Sequence, residues 1–245
     1  MNTPATHQTP LVLNPDEIHV WQASLELSDS QTAALLETLS PDEKMRSERY
    51  ISGEAKNRFI AARGVLRNLL SRYLTKRAAD IRIAYNENGR PVHAASGEKD
   101  QVIFNISHSG GKALFAFSAG IPLGIDLEII RSDLDFVGIA DRFFAPGEAS
   151  ALASLPEAAR KDAFFLCWTR KEAFVKARGS GLHLNLNQVE VSLRPGEPPV
   201  IVRADEETSD LSGWSLHDID AGNGFKAAIE VKATWPRLVQ FDYVF

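Results

Sequence analysis

The sequence predicts an α+β protein of two similar halves, each a mostly antiparallel sheet packed on one long helix in a pseudo-twofold plan. Three observations point there. Segments with period-two alternation cluster around tight turns as hairpins do. Two long stretches carry apolar residues at helical spacing. The order strand, long helix, strand cluster occurs once before Gly120 and once after it, and strands grouped apart from helices belong to the α+β class. The expected boundaries are a loose tail over residues 1–14, an N-terminal half over 15–120 and a C-terminal half over 121–245.

Taken in order, Ile18–Leu25 alternates as a first strand, and Ser28–Leu39 has helical spacing at Ala33, Leu35, Leu36 and Leu39. Ser40-Pro-Asp-Glu43 has the residues of a capping box with proline in the first helical position, so a helix starts there. Ala55–Leu74 is the longest amphipathic helix of the first half: Phe59, Ala62, Val65, Leu66, Leu69, Leu70 and Tyr73 face inward, and Arg58, Arg63, Arg67 and Arg72 lie on the other faces. Strands follow at Ile81–Tyr85 and, after a turn at Asn86–Gly89 and the Arg90-Pro91 pair, at Val102–Ile106; Gly110-Gly111 then turns the chain into Ala113–Phe117.

A strand around Asp126 opens the second half. Ser154-Leu-Pro-Glu157 resembles a helix start, and that helix runs through Phe164, Trp168 and Val175 until Gly179 stops it. Val189–Leu193, Pro199–Val202, Trp214–His217 and Phe225–Val231 are late strands, with a further one around Leu238–Phe245.

At 245 residues, 44% hydrophobic and 24% charged, the chain is of ordinary globular composition, and a net charge of −5 argues against a general nucleic-acid binder. The single cysteine, Cys167, allows no internal disulfide and is expected to be a buried helix residue. No apolar run approaches the roughly 20 residues that cross a bilayer, and the polar N-terminus lacks a signal pattern, so the expectation is a cytoplasmic protein with no membrane partner. Charge is uneven, however. Between Pro41 and Arg82 lie 11 Lys or Arg against 5 Asp or Glu, a candidate phosphate-binding surface because guanidinium forks match phosphate oxygens.

The residues with the clearest chemistry are acids. In a strand Asp126 and Glu128 project from one face while Ile125, Leu127 and Ile129 enter a core. In a helix Trp168, Glu172 and Lys176 form one stripe. Oxygen-rich, partly open settings of this kind suit a hard cation that binds phosphate.

Asn105-Ile-Ser-His-Ser109, Gly124-Ile-Asp-Leu-Glu128 and Trp168-Thr-Arg-Lys-Glu-Ala-Phe-Val-Lys176 followed by Gly179-Ser-Gly-Leu182, in that order and spacing, resemble the 4'-phosphopantetheinyl transferases, specifically the larger Sfp type. The resemblance covers roughly residues 16–232 and includes Ser40-Pro-Asp-Glu43 and Gly89-Arg-Pro91. It implies the transferase fold and the transfer of 4'-phosphopantetheine from coenzyme A to a serine of apo acyl, peptidyl or aryl carrier proteins, with release of adenosine 3',5'-bisphosphate. It further implies Mg²⁺, with Mn²⁺ as an alternative, held by Asp126, Glu128 and Glu172. Lys176 would contact the transferring phosphate, and Ser107 and His108, in a loop after a strand, the pyrophosphate. Arg46, Arg58, Arg63 and Arg90 would grip the 3'-phosphate and adenine.

The serine's proton acceptor stays open between Glu172, Glu148 and a metal-bound water. One departure stands out: Glu43 occupies a position that is lysine in well-known members. Leu134, Phe136, Val137, Phe143 and Phe144 are candidate carrier contacts, Trp168 is a packing residue that shapes the site, and a monomer is implied. Clients in fatty-acid, polyketide, nonribosomal-peptide and siderophore synthesis are all compatible. The competing readings are a Mg-dependent phosphodiesterase or nuclease, and a non-catalytic module that binds coenzyme A or carrier proteins.

Overall fold

The computed structural model describes residues 9–85, 91–93, 102–179, 185–194, 196–204 and 210–245. The expected turn at Asn86–Gly89, Arg90 and Ser180–Leu182 lie outside the described residues.

β1 (Glu17–Ser24) leads into α1 (Asp29–Leu36), α2 (Pro41–Ser47) and the long α3 (Gly53–Leu74). The short β2 (Ile83–Tyr85) and β3 (Pro91–His93) pair with each other, and β4 (Val102–Ser109) and β5 (Lys112–Ala119) form the hairpin that Gly110-Gly111 turns. Both glycines have positive φ, 55° and 80°, which a side chain would oppose. β6 (Leu123–Ile129), α4 (Phe136–Phe143), α5 (Pro146–Ser154) and α6 (Glu157–Arg178) follow, then β7 (Val189–Val191), β8 (Ile201–Ala204), β9 (Ser215–Asp218), β10 (Phe225–Val231) and β11 (Arg237–Asp242).

The first main sheet has the order β11-β1-β5-β4, the second β6-β10-β9. Pairing is antiparallel throughout the described sheets except for β1 against β11, which is parallel. Alternation sorts the strand residues into layers. Trp21, Ala23, Phe104, Phe115 and Phe117 turn to α3, where Val65, Leu66, Leu69 and Leu70 complete one core. Their neighbours Ile18, Val20, Leu114 and Ala116 turn the other way, onto Leu123, Ile125, Leu127, Ala227 and Ile229 of the second sheet. The outer face of that second sheet meets α6. Helix, sheet, sheet and helix therefore stack in four layers, with the 22-residue α3 and α6 on opposite sides of the sheet pair.

The α+β class and the two helix-on-sheet units stand as expected, and Cys167 is fully buried in α6. The capping box at Ser40 is present as well: Ser40 Oγ accepts from the Glu43 N–H and Glu43 Oε2 from the Ser40 N–H. Two readings are corrected. Ser154 does not cap α6; it ends α5 and bonds back to the Ala151 carbonyl, while Pro156 precedes the first turn of α6. Arg67 does not lie on an outer face of α3 but is 2% exposed. In the 131–144 segment Phe136 lies tilted against Phe164, Phe144 is buried and stacks on the same ring, and Val137 is exposed.

One buried group gives the second sheet a pH dependence. Glu230, on β10 and fully buried, accepts from Arg178 Nη2 at 3.1 Å. Burial raises its pKa to about 7, against the opposing pull of Arg178. The unfolded chain ionises this carboxylate near the ordinary 4.5, so between those values the folded state holds the extra proton and stability falls as pH rises. Glu230→Gln is expected to flatten that decline by at most about 3 kcal/mol, read as the difference between urea unfolding at about pH 5 and about pH 8. The same difference in variant and wild type would place its origin elsewhere.

Candidate active site

β4 and β6 are edge strands of different sheets, and an edge leaves backbone groups without ladder partners. Here side chains supply them. Asn105 Oδ1 accepts from the Ile125 N–H at 2.9 Å, and Ser109 Oγ accepts from the Ile129 N–H at 3.2 Å. Between and beside these bonds the serines reach the acids: Ser107 Oγ donates to Asp126 Oδ1 at 2.9 Å, and Ser109 Oγ to Glu128 Oε2 at 2.8 Å. Every second residue of β4 thus stitches it to β6.

α6 brings the cation. Its backbone lies so close to β6 that a Cβ on Gly124 would sit 2.2 Å from the Ala177 nitrogen and 2.4 Å from the Ala173 carbonyl oxygen. Only glycine fits. Lys176 Nζ then donates to Asp126 Oδ1 at 2.5 Å, Ser107 Oγ at 3.1 Å and the Ile125 carbonyl at 3.2 Å, which uses the three donors of an ammonium.

Neighbouring residues of the Trp168–Lys176 run hold the helix in place. Arg170, 1% exposed, forks onto Asp218 at 2.8 and 2.6 Å and donates to the Ser192 carbonyl at 2.6 Å. Lys171 is buried against Glu148 at 2.5 Å. Both Glu148 oxygens are engaged, the other by the Val191 N–H at 2.7 Å, so Glu148 is a structural pin and not a site group. Trp168 stacks on Phe164 and lines a small slot with Glu128, as a packing residue that shapes the site.

Asp126 is 3% exposed, and its Oδ2 is buried with no hydrogen-bond partner. Burial, and secondarily the charge of Asp126, pushes Glu128 above the usual carboxylate range, with the Ser109 hydroxyl opposing. An orphaned carboxylate oxygen beside a second acid reluctant to ionise is a setting that a divalent cation relieves. Glu172 is half-buried on α6, one turn before Lys176. Among the described residues no three His, Cys, Asp or Glu side chains converge as a metal cluster. The structure therefore brings Asp126, Glu128 and Lys176 together on the face of β6 that α6 covers.

On the other side of β4 is a cleft of about 480 Å³, lined among others by Arg58, Phe59, Arg63, His108 and Gly111. His108 stands within β4 and not in a loop after it; alternation points it into the cleft while Ser107 points to β6. Arg46 and Arg63 each lie over the rings of both Phe59 and Tyr85 at 5.5–5.9 Å. Arg58 Nη2 is held by Glu54 at 2.6 Å and Glu26 at 3.1 Å. Arg58 Nε and Arg63 Nη1, on two arginines that line the cleft, are buried without a partner, an unmatched positive edge that an anion bound there would relieve. Arg90 lies outside the described residues.

The family model described as 4'-phosphopantetheinyl transferase superfamily matches residues 122–230, and that for the N-terminal part of 4'-phosphopantetheinyl transferases matches 21–119. The chain is 36% identical over 221 residues to the 4'-phosphopantetheinyl transferase HetI of Nostoc sp., covering 90% of either chain. This chain belongs to the 4'-phosphopantetheinyl transferase family. The transferase Sfp of Bacillus subtilis is 31% identical over 167 residues, 68% of this chain and 72% of Sfp. Among solved structures, the holo-[acyl-carrier-protein] synthase of Thermotoga maritima aligns with 45% of this chain and 62% of its own at TM-score 0.36 and 24% identity.

In this transferase the seam residues Asn105, Ser109 and Gly124 stand in the motifs that carry the resemblance, which gives them no role of their own; polar residues alternating through an apolar strand are the further signal for the first two. Gly124→Ala is expected to push α6 outward, at about 3 kcal/mol of overpacking, seen as a lower urea midpoint. Wild-type stability would mean that α6 is not seated this closely.

Proposed function

We propose that this chain transfers the 4'-phosphopantetheine of coenzyme A to a serine of an apo carrier protein. The observation that carries the reading is the placement, on opposite sides of one strand, of a cleft short of an anion and a carboxylate pair short of a cation. The serine oxygen forms the new bond to the phosphorus attached to pantetheine, the bridging pyrophosphate bond breaks, and adenosine 3',5'-bisphosphate leaves.

The cleft takes the nucleotide end. Arg58 and Arg63 are the phosphate grip, with Arg46 beside them and Arg90 a further grip residue by resemblance alone, and His108 and Ser107 lie where the substrate passes from nucleotide to pyrophosphate. Fixing one end of the substrate aligns the other for in-line attack. Asp126 and Glu128 would hold Mg²⁺, with Glu172 the third carboxylate on offer; an ion of this kind commonly keeps one or two protein carboxylates and leaves the rest of its shell to phosphate and water. When bound it supplies charge neutralisation of the pyrophosphate. Lys176 contributes a positive charge to the same oxygens. The serine's proton goes to Glu172 or to a metal-bound water, since both oxygens of Glu148 are already engaged. Cleft and carboxylates come from one chain, which favours a monomer. Among the described residues no helix is long and apolar enough to cross a membrane.

The test is intact-mass spectrometry of an apo carrier protein incubated with this chain, coenzyme A and Mg²⁺. A gain of one phosphopantetheine, lost in EDTA, is expected, and Asp126→Ala is expected to abolish it while the fold persists, because Asp126 is a polar site group and not core volume. Transfer by Asp126→Ala at near wild-type rate would remove the metal assignment. Arg58→Ala is expected to raise the KM for coenzyme A about tenfold, the loss of a charge-assisted contact of about 1.4 kcal/mol, with a smaller effect on kcat. The reverse pattern would misplace the nucleotide grip.

A further inference from the structure

We infer that Glu43 is a positioning residue for the cleft: its carboxylate fixes Arg63 in the cleft wall, and so sets selectivity for a terminal phosphate monoester. This rests on reading the cleft as the nucleotide site of coenzyme A.

Glu43 is 5% exposed and serves three partners. Its Oε2 accepts from the Ser40 N–H at 3.0 Å and from Arg67 Nε at 2.6 Å, and its Oε1 lies 3.5 Å from Arg63 Nε. The two arginines then differ. Arg67 is committed to the protein, since its Nη1 also donates to the carbonyls of Ala78 at 2.7 Å and Ile81 at 3.0 Å. Arg63 has its Nε edge on Glu43 and its faces near Phe59 and Tyr85, yet its Nη1 is buried without a partner. One carboxylate between two guanidiniums leaves one positive charge over. The geometry gives that charge to Arg63, which lines the cleft.

Glu43 therefore does more than cap α2. The Ser40 bond anchors the carboxylate to the start of α2, and the Arg67 bond anchors it to the carbonyls just before β2, the strand that carries Tyr85. Both anchors fix where Arg63 points. An arginine immobilised before the ligand arrives loses less freedom on binding, and a fork held in one plane recognises a phosphate by direction as well as by charge.

The experiment is calorimetric titration of the purified chain with coenzyme A and with 3'-dephospho-coenzyme A, for wild type, Glu43→Gln, Arg63→Ala, the double variant and Ser40→Ala. Expected is a loss of about tenfold in affinity for coenzyme A in Glu43→Gln, with the 3'-dephospho form little changed. Glu43→Gln should add nothing in the Arg63→Ala background. Ser40→Ala removes the same helix cap but leaves the carboxylate on Arg63, so it should lower the melting temperature and keep the ratio of the two affinities. Should Glu43→Gln not fold, Glu43→Asp, which draws the charge back by one methylene, is expected to show the same selective loss.

A wild-type affinity ratio in the Glu43 variant would overturn the proposal, as would an equal loss for both ligands or an effect that persists without Arg63. If Arg63→Ala bound both ligands as wild type does, or wild type bound no coenzyme A, the reading of the cleft would fall and the proposal with it.

Discussion

The seam between β4 and β6 is the constraint on which the site depends. Two sheets meet there at their edges without a backbone ladder between those strands, and a buried N–H left unpaired costs about 1–3 kcal/mol. Asn105 and Ser109 remove that cost at Ile125 and Ile129. Because their side chains must point across the seam, Phe104, Ile106 and His108 must point the other way, which puts His108 toward α3. Because β6 is fixed in register against β4, Asp126 and Glu128 fall opposite Ser107 and Ser109. One set of hydrogen bonds thereby joins the sheets, orients the acids and makes β4 the wall that cleft and carboxylates share.

α6 solves a different problem, that of delivering one ammonium to one carboxylate from a helix whose position is otherwise set by nondirectional packing. Gly124 allows the close approach. Arg170 and Lys171, both buried, then fix rotation and register through ion pairs to the exposed Asp218 and the buried Glu148. Buried ion pairs contribute little net stability, because desolvation offsets attraction. Breaking one leaves a stranded charge, however, so displaced arrangements of the helix are disfavoured. Their use here is specificity of placement, and Lys176 inherits that placement one to two turns further on.

What was legible in the sequence had a local period. The Ser40–Glu43 cap, the glycine hairpin and the shared face of Asp126 and Glu128 all follow from spacings of two to four residues, and the structure has each. Arg67, Arg170 and Lys171 did not follow, since a charged residue on a helix ordinarily belongs to a solvated face. Their burial depends on Glu43, Asp218 and Glu148, which lie 24, 48 and 23 residues away. The pairing of β11 with β1 joins segments about 220 residues apart, and no periodicity reports a contact of that range. The cleft was visible only as an excess of positive charge. Which arginines it takes up and which the protein keeps for itself was decided by acids placed by the fold.

The two sides of β4 are left electrostatically incomplete in opposite senses. Toward α3, Arg58 Nε and Arg63 Nη1 are donors without acceptors; toward α6, Asp126 Oδ2 is an acceptor without a donor. In a low-dielectric interior such groups are expensive to leave unmatched. They cannot satisfy one another, because the strand and its hydrogen-bonded serines stand between them. A bare anion answers only the first side and a bare cation only the second. On the function proposed above, a polyphosphate with its divalent cation would answer both, each of its charges stabilised by the presence of the other.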